Sequence, residues 1–454
     1  MGQVRRVAAG VCLLGVVSTL GCESSGTAGV RPPPTSTAVA TGSTGRRAAP
    51  KPTLALPWPA LPANPDELDG LVKEHTQRPP QPRTELTAER VIAALRDGIE
   101  HGTATMGWPG IVEALGQRLE RVDQEGRASY LLFGHHHDAP AQVEAFRRIT
   151  GPLGITPATV AAVEQLQADG FWREVAAPTQ RGDTATLSAY LTGGAAEALK
   201  ALQDTQRRRN YTAWKYGYLG EIVDLAIAAR AGNRRLIGCD MPSPLQALVR
   251  TKLGERGGEL RDLHCALTLR DLLARTAQPH RVALFWGSAH LDPARLPRFL
   301  PAGAEVWTVE LLGGRLGSAG IEVELGDRLK LVDPTLLPLD DDRFVLVLPA
   351  RPLGAAVDRV RTELGSALPG KQRDRVVVHG LAGAAVRIGS QRLARPTDGA
   401  MVELPPGATS FLVDHDGKLV AGGLHLPSGG QVELHLEPDG TLRLVTRAPR
   451  MATR

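Results

Sequence analysis

Short apolar runs that alternate with helical segments constrain the fold of this chain more than any other feature of its sequence. Five such runs stand at 129–134, 158–166, 234–240, 281–287 and 305–311, and the residues between them carry apolar positions at helical spacing. Strands that alternate with helices favour a parallel sheet covered by helices on both faces. We therefore predict an α/β fold with a mostly parallel sheet, in a domain that spans residues 84–332.

The pattern changes in the C-terminal part of the chain. A strand and a helix after residue 343 lead into period-two segments, and the segments 410–422 and 431–445 carry Asp-Gly, the strongest short hairpin signal. The sequence therefore predicts a smaller β-rich domain over 343–454. Within it, we expect His425 and His435 to lie on the surface.

The N-terminal segment is typical of an exported protein. Two arginines precede an apolar stretch, and the sequence "TLGC" that ends at Cys22 resembles a bacterial lipoprotein signal. We expect a signal peptide over residues 1–21, acylation of Cys22, and a disordered Ser/Thr/Pro-rich tether over 22–83. The folded part would then stand off a cell-envelope membrane through a lipid anchor.

The net charge argues against a nucleic-acid partner. Its formal value is only +5 over 454 residues, and the basic residues are spread evenly along the chain. Nucleic-acid binding proteins usually concentrate a larger positive charge on one face. We expect a small-molecule ligand and no nucleic acid.

The cysteine content leaves two possibilities for redox chemistry. Of the four cysteines, Cys12 lies in the expected signal peptide and Cys22 is the expected acylation site, which leaves Cys239 and Cys265. Outside the cytoplasm these two could form a disulfide, or they could be buried free thiols. Their spacing alone does not decide between the two.

Two of the predicted strands end in the same motif. The sequences "FGHHHDAP" and "WGSAHLDP" each place a glycine at the strand end, at Gly134 and Gly287, with a histidine three residues later and a proline six residues later. This spacing brings His137 and His290 to the carboxyl ends of parallel strands, the edge where α/β sheets bind ligands.

Carboxylates are expected at the same edge. Glu164 lies inside an otherwise apolar strand, where a charge must be paired or lie near a pocket, and Asp240 ends another strand. Imidazoles and carboxylates hold divalent transition metals or transfer protons. A lone histidine at a strand end is usually structural, but the matched pair favours a site in which His137, Glu164 and His290 are metal ligands.

An aromatic segment over 210–226 contains three of the five tyrosines, Tyr211, Tyr216 and Tyr218. Helical spacing makes core packing the simplest interpretation. The alternative is an aromatic wall for a flat ligand, with a tyrosine hydroxyl that supplies polarity.

These motifs resemble the ChaN branch of the Tiki/TraB/erythromycin-esterase superfamily. ChaN-like proteins carry a strand that ends in Gly-Glu-x-His-Asp-x-Pro, a glutamate in the next strand, and a late strand that ends in Gly-x-x-His; "GHHHDAP", Glu164 and "GSAH" are similar, over roughly 90–315. The resemblance implies an α/β envelope protein. ChaN proteins are associated with haem binding and iron uptake, and Tiki relatives are metal-dependent proteases. The family glutamate after the first glycine is His135 here.

Three hypotheses follow from the residues and the resemblance together. The first is a lipoprotein that binds haem or a divalent transition metal through His137, Glu164 and His290, with Tyr211, Tyr216 and Tyr218 as unassigned candidates for haem ligation. The second is a metal-dependent hydrolase, a protease or esterase, in which His135 or Asp240 transfers a proton. The third is a member that has lost its chemistry and uses its tail domain to bind an envelope partner.

Overall fold

The structure is a computed structural model that describes residues 58–137, 139–153, 159–169, 172, 182–194, 196–209, 219–232, 235–275, 280–314, 321–349, 374–381, 384–389, 391–394, 396–404, 407–426, 431–436 and 442–447. Its helices are α1 (Pro65–His75), α2 (Ala88–His101), α3 (Trp108–Gln124), α4 (Pro140–Leu153), α5 (Thr184–Gly193), α6 (Ala196–Arg209), α7 (Leu219–Ala231), α8 (Ser243–Leu253), α9 (Gly257–Leu273) and α10 (Ile321–Arg328). Short 3₁₀ turns stand at Gly254–Arg256, Ser288–Leu291 and Leu296–Phe299.

The strands fall into an α/β part and a β-rich part. The first contains β1 (Thr105–Met106), β2 (Ser129–His135), β3 (Thr159–Gln167), β4 (Arg235–Asp240), β5 (Arg281–Gly287), β6 (Glu305–Leu312), β8 (Thr335–Asp340) and β9 (Arg343–Val347), with β7 (Leu329–Leu331) between them in the chain. The second contains β10 (Asp374–His379), β11 (Ala385–Ile388), β12 (Gln391–Ala394), β13 (Ala400–Leu404), β14 (Gly407–His415), β15 (Lys418–Leu426), β16 (Gln431–Leu436) and β17 (Leu442–Arg447).

The α/β part is built on a mixed sheet of eight strands, in the order β1-β8-β9-β6-β2-β5-β3-β4. The strands from β9 to β4 pair in parallel, whereas β8 and β1 are added antiparallel at one edge. The five strands predicted between residues 129 and 311 are present. The expected mostly parallel sheet is therefore found in part. The strands from β9 to β4 are parallel, whereas β8 and β1 form an antiparallel edge next to β9.

Alternating side chains of the central strands enter two separate cores. In β2, Tyr130 and Leu132 pack with α1, α8 and α9 on one face, whereas Leu131 and Phe133 pack with α3, α4 and α7 on the other. A strand that is apolar on both faces gives a continuous apolar run. This two-sided burial confirms the prediction that helices cover both faces of the sheet.

The β-rich part contains two sheets around a core of its own. One has the order β13-β10-β16-β17 and the other β12-β11-β14-β15-β7, with Val376, Phe411 and Leu434 among the residues between them. The predicted hairpin of β14 and β15 turns at Asp416 and Gly417, both at positive φ, as a tight two-residue hairpin requires. Strands β16 and β17 also pair antiparallel as predicted.

The structure corrects two domain boundaries. Residues from Trp58 onward are folded: α1, capped by Asn64, buries Leu68 and Leu71 in the core, because its apolar residues recur at helical spacing within a Pro-rich context. The expected tether therefore cannot extend to residue 83. Likewise, strand β9, expected in the tail domain, pairs with β6 in the large sheet, and β7, expected in the α/β domain, pairs with β15.

Several sequence-based expectations fall on other parts of the chain. The signal peptide, Cys22 and the helix expected near residues 354–368 lie outside the described residues, so they remain predictions. Among the residues that are described, none of the helices combines the length and apolar character needed to span a bilayer.

Cys239 and Cys265 form a disulfide that joins the end of β4 to α9. The two sequence possibilities are thereby resolved in favour of pairing. The bond fixes α9 against the strand that ends in Asp240, and α9 also carries Arg261 and Asp262. The disulfide therefore restrains two elements that meet at the carboxyl edge of the sheet.

Candidate metal centre

The carboxyl ends of β2, β3 and β5 bring imidazoles and a carboxylate together. His135 is the last residue of β2, and it pairs with Gly287 at the end of β5. Strand β3 lies on the other side of β5, and its register with β4 shifts between Val163 and Gln167. Such an irregularity redirects side chains, and here it places Glu164 and its neighbour Gln165 beside the same imidazole.

His135, His137 and Glu164 form a compact group of donor atoms, which we call the strand-end cluster. Glu164 Oε2 lies 3.1 Å from His135 Nε2, and Glu164 Oε1 lies 4.0 Å from His137 Nε2. One donor atom from each of the three residues lies within 4.8 Å of the others. Two imidazoles and one carboxylate are a common ligand set for zinc and related ions.

Packing holds the His135 ring in place. The side chain is buried, its ring stacks on Phe285 with a centroid distance of 4.1 Å, and Gln165 Nε2 lies 3.1 Å from its Nε2. His137, by contrast, has 55% of its side-chain surface exposed. The cluster therefore has one fixed imidazole and one that is accessible from solvent.

The two glycines of the repeated motif are required by close approach. A Cβ atom on Gly134 would lie 2.8 Å from Leu291 Cδ1, because the 3₁₀ turn after β5 crosses the end of β2. A Cβ atom on Gly287 would lie 3.3 Å from Glu164 Oε2, 3.4 Å from His290 Cδ2 and 3.9 Å from His137 Nε2. These three side chains therefore approach the Gly287 backbone closely, and a larger residue at this position would crowd them.

Glu164 is a buried carboxylate with several donors around it. The Gly287 backbone N–H donates to Oε2 at 2.7 Å, and Arg261 Nη2 donates to Oε1 at 3.0 Å. Burial by itself would raise the pKa of Glu164, but the hydrogen bond with His135 and the charges of His135 and Arg261 hold it well below its usual range. Glu164 is therefore an anion at neutral pH.

Arg261 links the cluster to Asp240. Its Nε and Nη2 atoms donate to Asp240 at 2.9 Å each, in a two-point contact that matches the guanidinium geometry. Burial raises the pKa of Asp240, and the Arg261 charge opposes this effect. Asp240 thus serves as the counter-ion of Arg261, and its carboxylate is occupied by this contact.

His290 belongs to a second polar group that borders the cluster. Its Nδ1 lies 2.6 Å from Asp262 Oδ1, and the other Asp262 oxygen accepts from Arg295 Nε at 2.8 Å. The Asp262 side chain is fully buried. A carboxylate that orients one nitrogen of an imidazole, and leaves the other for a ligand or proton, is the usual support of a metal-binding or catalytic histidine.

Desolvation acts on the accessible histidine. The surrounding atoms lower the pKa of His137 mainly by desolvation, and the charges of His135, Arg261 and His290 act in the same direction against Glu164. Because a lowered pKa keeps the ring neutral at pH 7, one of its two nitrogens carries a lone pair under physiological conditions. Neutral imidazole is the form that binds metals.

The predicted site residues are placed as follows. His137 and Glu164 lie together, and His290 borders them from the 3₁₀ turn after β5. His135, which was expected to transfer a proton, is itself a member of the strand-end cluster. Asp240 is close but bound to Arg261. The three tyrosines, Tyr211, Tyr216 and Tyr218, lie outside the described residues, so their part in haem binding remains a prediction.

Sequence reasoning missed Gln165 and the polar residues of α9, Arg261 and Asp262. Their signal was present in the sequence "LRDLHC", where charged residues stand inside an apolar helix that is buried nearly all round. A buried charge requires a partner, and the carboxylates predicted at strand ends were available partners. His435, which was expected on the surface, is half-buried: its side chain is 24% exposed and lies against Glu433.

Comparisons with known proteins add little to these observations. No family model and no curated protein matches the chain. Among solved structures, the chain is similar to the type III effector HopBA1, with 12% identity, a TM-score of 0.29, and coverage of 55% of this chain and 97% of that one. It is also similar to RRSP, a MARTX toxin effector domain from Vibrio vulnificus CMCP6, with 17% identity, a TM-score of 0.26, and coverage of 56% and 40%. Similarity at this level carries no argument about function.

Proposed function

We propose that this chain binds a divalent transition-metal ion at the strand-end cluster. The observation that carries the proposal is the convergence of donor atoms from His135, His137 and Glu164 within 4.8 Å of one another. Imidazole and carboxylate ligands suit zinc and neighbouring first-row ions. His290 borders the same space and is the fourth candidate ligand.

The charges around the cluster favour a cation. Glu164 and Asp240 contribute two negative charges and Arg261 one positive charge, while Asp262 and Arg295 balance each other. One negative charge therefore remains beside the imidazoles. Arg261 weakens the attraction of Glu164 for an ion, but it also fixes the orientation of the carboxylate, and preorganised ligands lose less entropy on binding.

The resemblance to ChaN-like proteins directs this proposal toward the cell envelope. On that basis the chain is a membrane-anchored lipoprotein, acylated at Cys22, that takes part in metal or haem handling. Haem requires an axial ligand and a flat apolar wall, for which Tyr211, Tyr216 and Tyr218 are the candidates. The described residues alone support an ion better than they support haem.

A metal-dependent hydrolase is a second candidate, and the pair of His290 and Asp262 favours it. A bound ion would polarise a scissile carbonyl. His290, held through Nδ1 by Asp262, has its other nitrogen available to accept a proton. The His290 ring and Glu164 both lie close to Gly287, so the reacting group of a substrate would approach the ion at this end of β5.

Metal content tests the proposal. We would equilibrate the full chain with Zn²⁺, remove free ion by dialysis and measure zinc by elemental analysis, with haem titration in parallel. The comparison is a His137→Ala/Glu164→Gln variant, and the control is His415→Ala, an exposed histidine elsewhere in the chain. We expect the double variant to lose one equivalent of zinc and the control to lose none.

Each alternative has its own outcome in this design. Equal zinc content in the wild type and the double variant would overturn the metal proposal. A haem absorption band that requires His137 would replace the ion by haem as the ligand. Metal-dependent peptide or ester cleavage that His290→Ala reduces at unchanged zinc content would support the hydrolase.

A further inference from the structure

A second set of metal-ligating side chains lies in the β-rich part, far from the strand-end cluster in sequence. Strands β10 and β16 pair in parallel, and their register places His379 opposite His435. Glu433 stands two residues before His435, so it occupies the same face of the sheet. The core residues Val376, Val378, Val432 and Leu434 alternate with these positions, so the three polar residues lie on the opposite face.

The distances within this set, which we call the sheet-face cluster, are short. The rings of His379 and His435 stack with a centroid distance of 4.5 Å and an interplanar angle of 13°. Glu433 Oε2 lies 3.1 Å from His435 Nε2. One donor atom from each of the three residues lies within 4.8 Å of the others.

Burial distinguishes this cluster from an ordinary polar surface. Glu433 is only 5% exposed, and the side chains of His379 and His435 are 29% and 24% exposed. A carboxylate with so little access to water is stabilised only by the positive or polar groups around it. Two of those groups here are imidazoles, whose ring nitrogens can act as ligands when they are neutral.

Asp398 adds a fourth candidate ligand, and a second carboxylate, at the same end of the sheet. Its Oδ1 lies 3.4 Å from His379 Nδ1 and accepts a hydrogen bond from the Gly380 N–H at 2.9 Å. That hydrogen bond and the charges of His379 and His435 lower the pKa of Asp398. The turn that carries Asp398 is tied to β10, since the Gly399 N–H donates to the Val378 carbonyl at 2.9 Å.

We propose that the sheet-face cluster is a second metal site, in which His379, His435 and Glu433 bind a zinc-like divalent ion and Asp398 completes four-coordination. Four protein ligands without an open position are typical of structural sites. Such an ion would join β10, β16 and the turn before β13. Arg443, the cross-strand neighbour of His435, is exposed, so solvent screens its charge.

Cobalt titration of the full chain tests this second site independently of the first. Co²⁺ replaces zinc and gives visible absorption when it is bound in tetrahedral geometry by nitrogen and oxygen ligands. We would titrate the His137→Ala/Glu164→Gln variant, in which the strand-end cluster is disabled, and follow absorption with Zn²⁺ competition. We expect one equivalent of bound Co²⁺, which Zn²⁺ displaces.

Variants of the sheet-face cluster then assign that equivalent. In the same background, His379→Ala/His435→Ala should abolish it, and Glu433→Gln, which keeps shape and hydrogen bonding, should weaken it by more than the roughly 10–100-fold that loss of an outer-shell partner costs. His415→Ala is the matched control and should change nothing. Circular dichroism of the metal-free proteins checks folding, and Glu433→Gln decides the matter if the double variant does not fold.

The two proposals fail in different ways. Unchanged Co²⁺ binding in both His379→Ala/His435→Ala and Glu433→Gln would overturn the second site and leave the strand-end proposal intact. If, instead, wild type and His137→Ala/Glu164→Gln bind the same single equivalent, and His379→Ala/His435→Ala removes it, the strand-end proposal fails and the second site stands.

Discussion

The strand-end cluster and the sheet-face cluster each contain two histidines and one glutamate, but the fold holds them in different ways. The strand-end residues come from β2, β3 and the loop after β2, and Glu164 also receives donors from β5 and α9. The sheet-face residues come from two strands in direct register. One set is thus fixed by tertiary contacts among several elements, and the other by local pairing within one sheet.

If each cluster binds an ion as proposed, this difference favours chemistry at the strand-end cluster and cross-linking of strands at the sheet-face cluster. At the strand ends, an ion would have to share Glu164 with Arg261 and the Gly287 N–H, beside an accessible His137. On the sheet face, the pairing of β10 with β16 brings the candidate ligands together, and the Asp398 carboxylate lies beside His379 as the proposed fourth ligand. We therefore expect substitutions in the first cluster to affect stability and binding together, and substitutions in the second to affect mainly metal-dependent stability.

The largest effect is expected for Glu164→Ala. The substitution leaves the Gly287 N–H without its acceptor in a buried region and removes one of the two carboxylates that pair with Arg261, so the free energy of unfolding should fall by about 3 kcal/mol. Urea denaturation of the metal-free protein measures it. Glu164→Gln is the matched control and should cost less, because its amide oxygen can still accept. A loss below about 1 kcal/mol for Glu164→Ala would show that the contacts of Glu164 with Arg261 and the Gly287 N–H do not stabilise the fold as described here.

Removal of the disulfide should have the next largest effect. Cys239 and Cys265 are 26 residues apart, and closure of a loop of this size contributes about 3 kcal/mol through the unfolded chain. The Cys239→Ser/Cys265→Ser variant should therefore unfold at lower urea, and its strand-end cluster should bind metal more weakly because α9 carries Arg261. Its sheet-face cluster should bind as before. Equal weakening at both sites would contradict the comparison.

Acidification should destabilise the α/β part through His264. This residue is fully buried, its Nδ1 accepts from Trp172 Nε1 at 3.2 Å, and its ring contacts Trp58. Burial, with a smaller contribution from Arg261, lowers the pKa of His264 to about 3. Below the unfolded pKa of about 6.5, the unfolded chain binds a proton that the folded chain does not, so stability should fall by about 1.4 kcal/mol per pH unit between roughly pH 6 and 4.

Denaturation curves across this pH range check the His264 prediction. His264→Gln, whose amide does not titrate, should flatten the dependence relative to wild type. His415→Ala, which removes an exposed histidine of the β-rich part, should leave the slope unchanged. A slope that His264→Gln does not alter would assign the acid sensitivity to other groups.

The smallest effect is expected for Glu433→Gln in the absence of metal. The amide keeps the shape and one acceptor beside His435, so the free energy of unfolding should change by less than about 1 kcal/mol. Thermal melts with and without Zn²⁺ in the His137→Ala/Glu164→Gln background check this, since zinc should raise the melting temperature of that protein but not after Glu433→Gln is added. Identical zinc stabilisation of both would remove Glu433 from the ligand set.

Much of the fold could be predicted from the sequence, because apolar periodicity reports burial directly. The central strands are apolar on both faces, and each was identified within one or two residues at its ends. The antiparallel edge of β1 and β8 was not predicted, because β1 has only two residues and β8 is a short segment that contains Pro338. Helix α1 was missed because prolines on either side of it masked a short amphipathic segment.

The candidate site could be predicted only in outline. The repeated glycine and histidine spacing identified His137 and His290, and the burial of a lone carboxylate identified Glu164. The contribution of Arg261 depends on α9 packing across strand ends more than twenty residues away in sequence, which no local pattern encodes. The sheet-face cluster depends on the register of β10 with β16, two strands that are separated by more than fifty residues.

The most direct test of the metal assignment is anomalous X-ray scattering from crystals of the full chain grown with Zn²⁺. We predict an anomalous peak within bonding distance, about 2.0–2.2 Å, of His135, His137 and Glu164 side-chain atoms. Such a peak would locate the ion at the carboxyl ends of β2 and β3. Ordered side chains at these positions without anomalous density, at saturating Zn²⁺, would contradict the account.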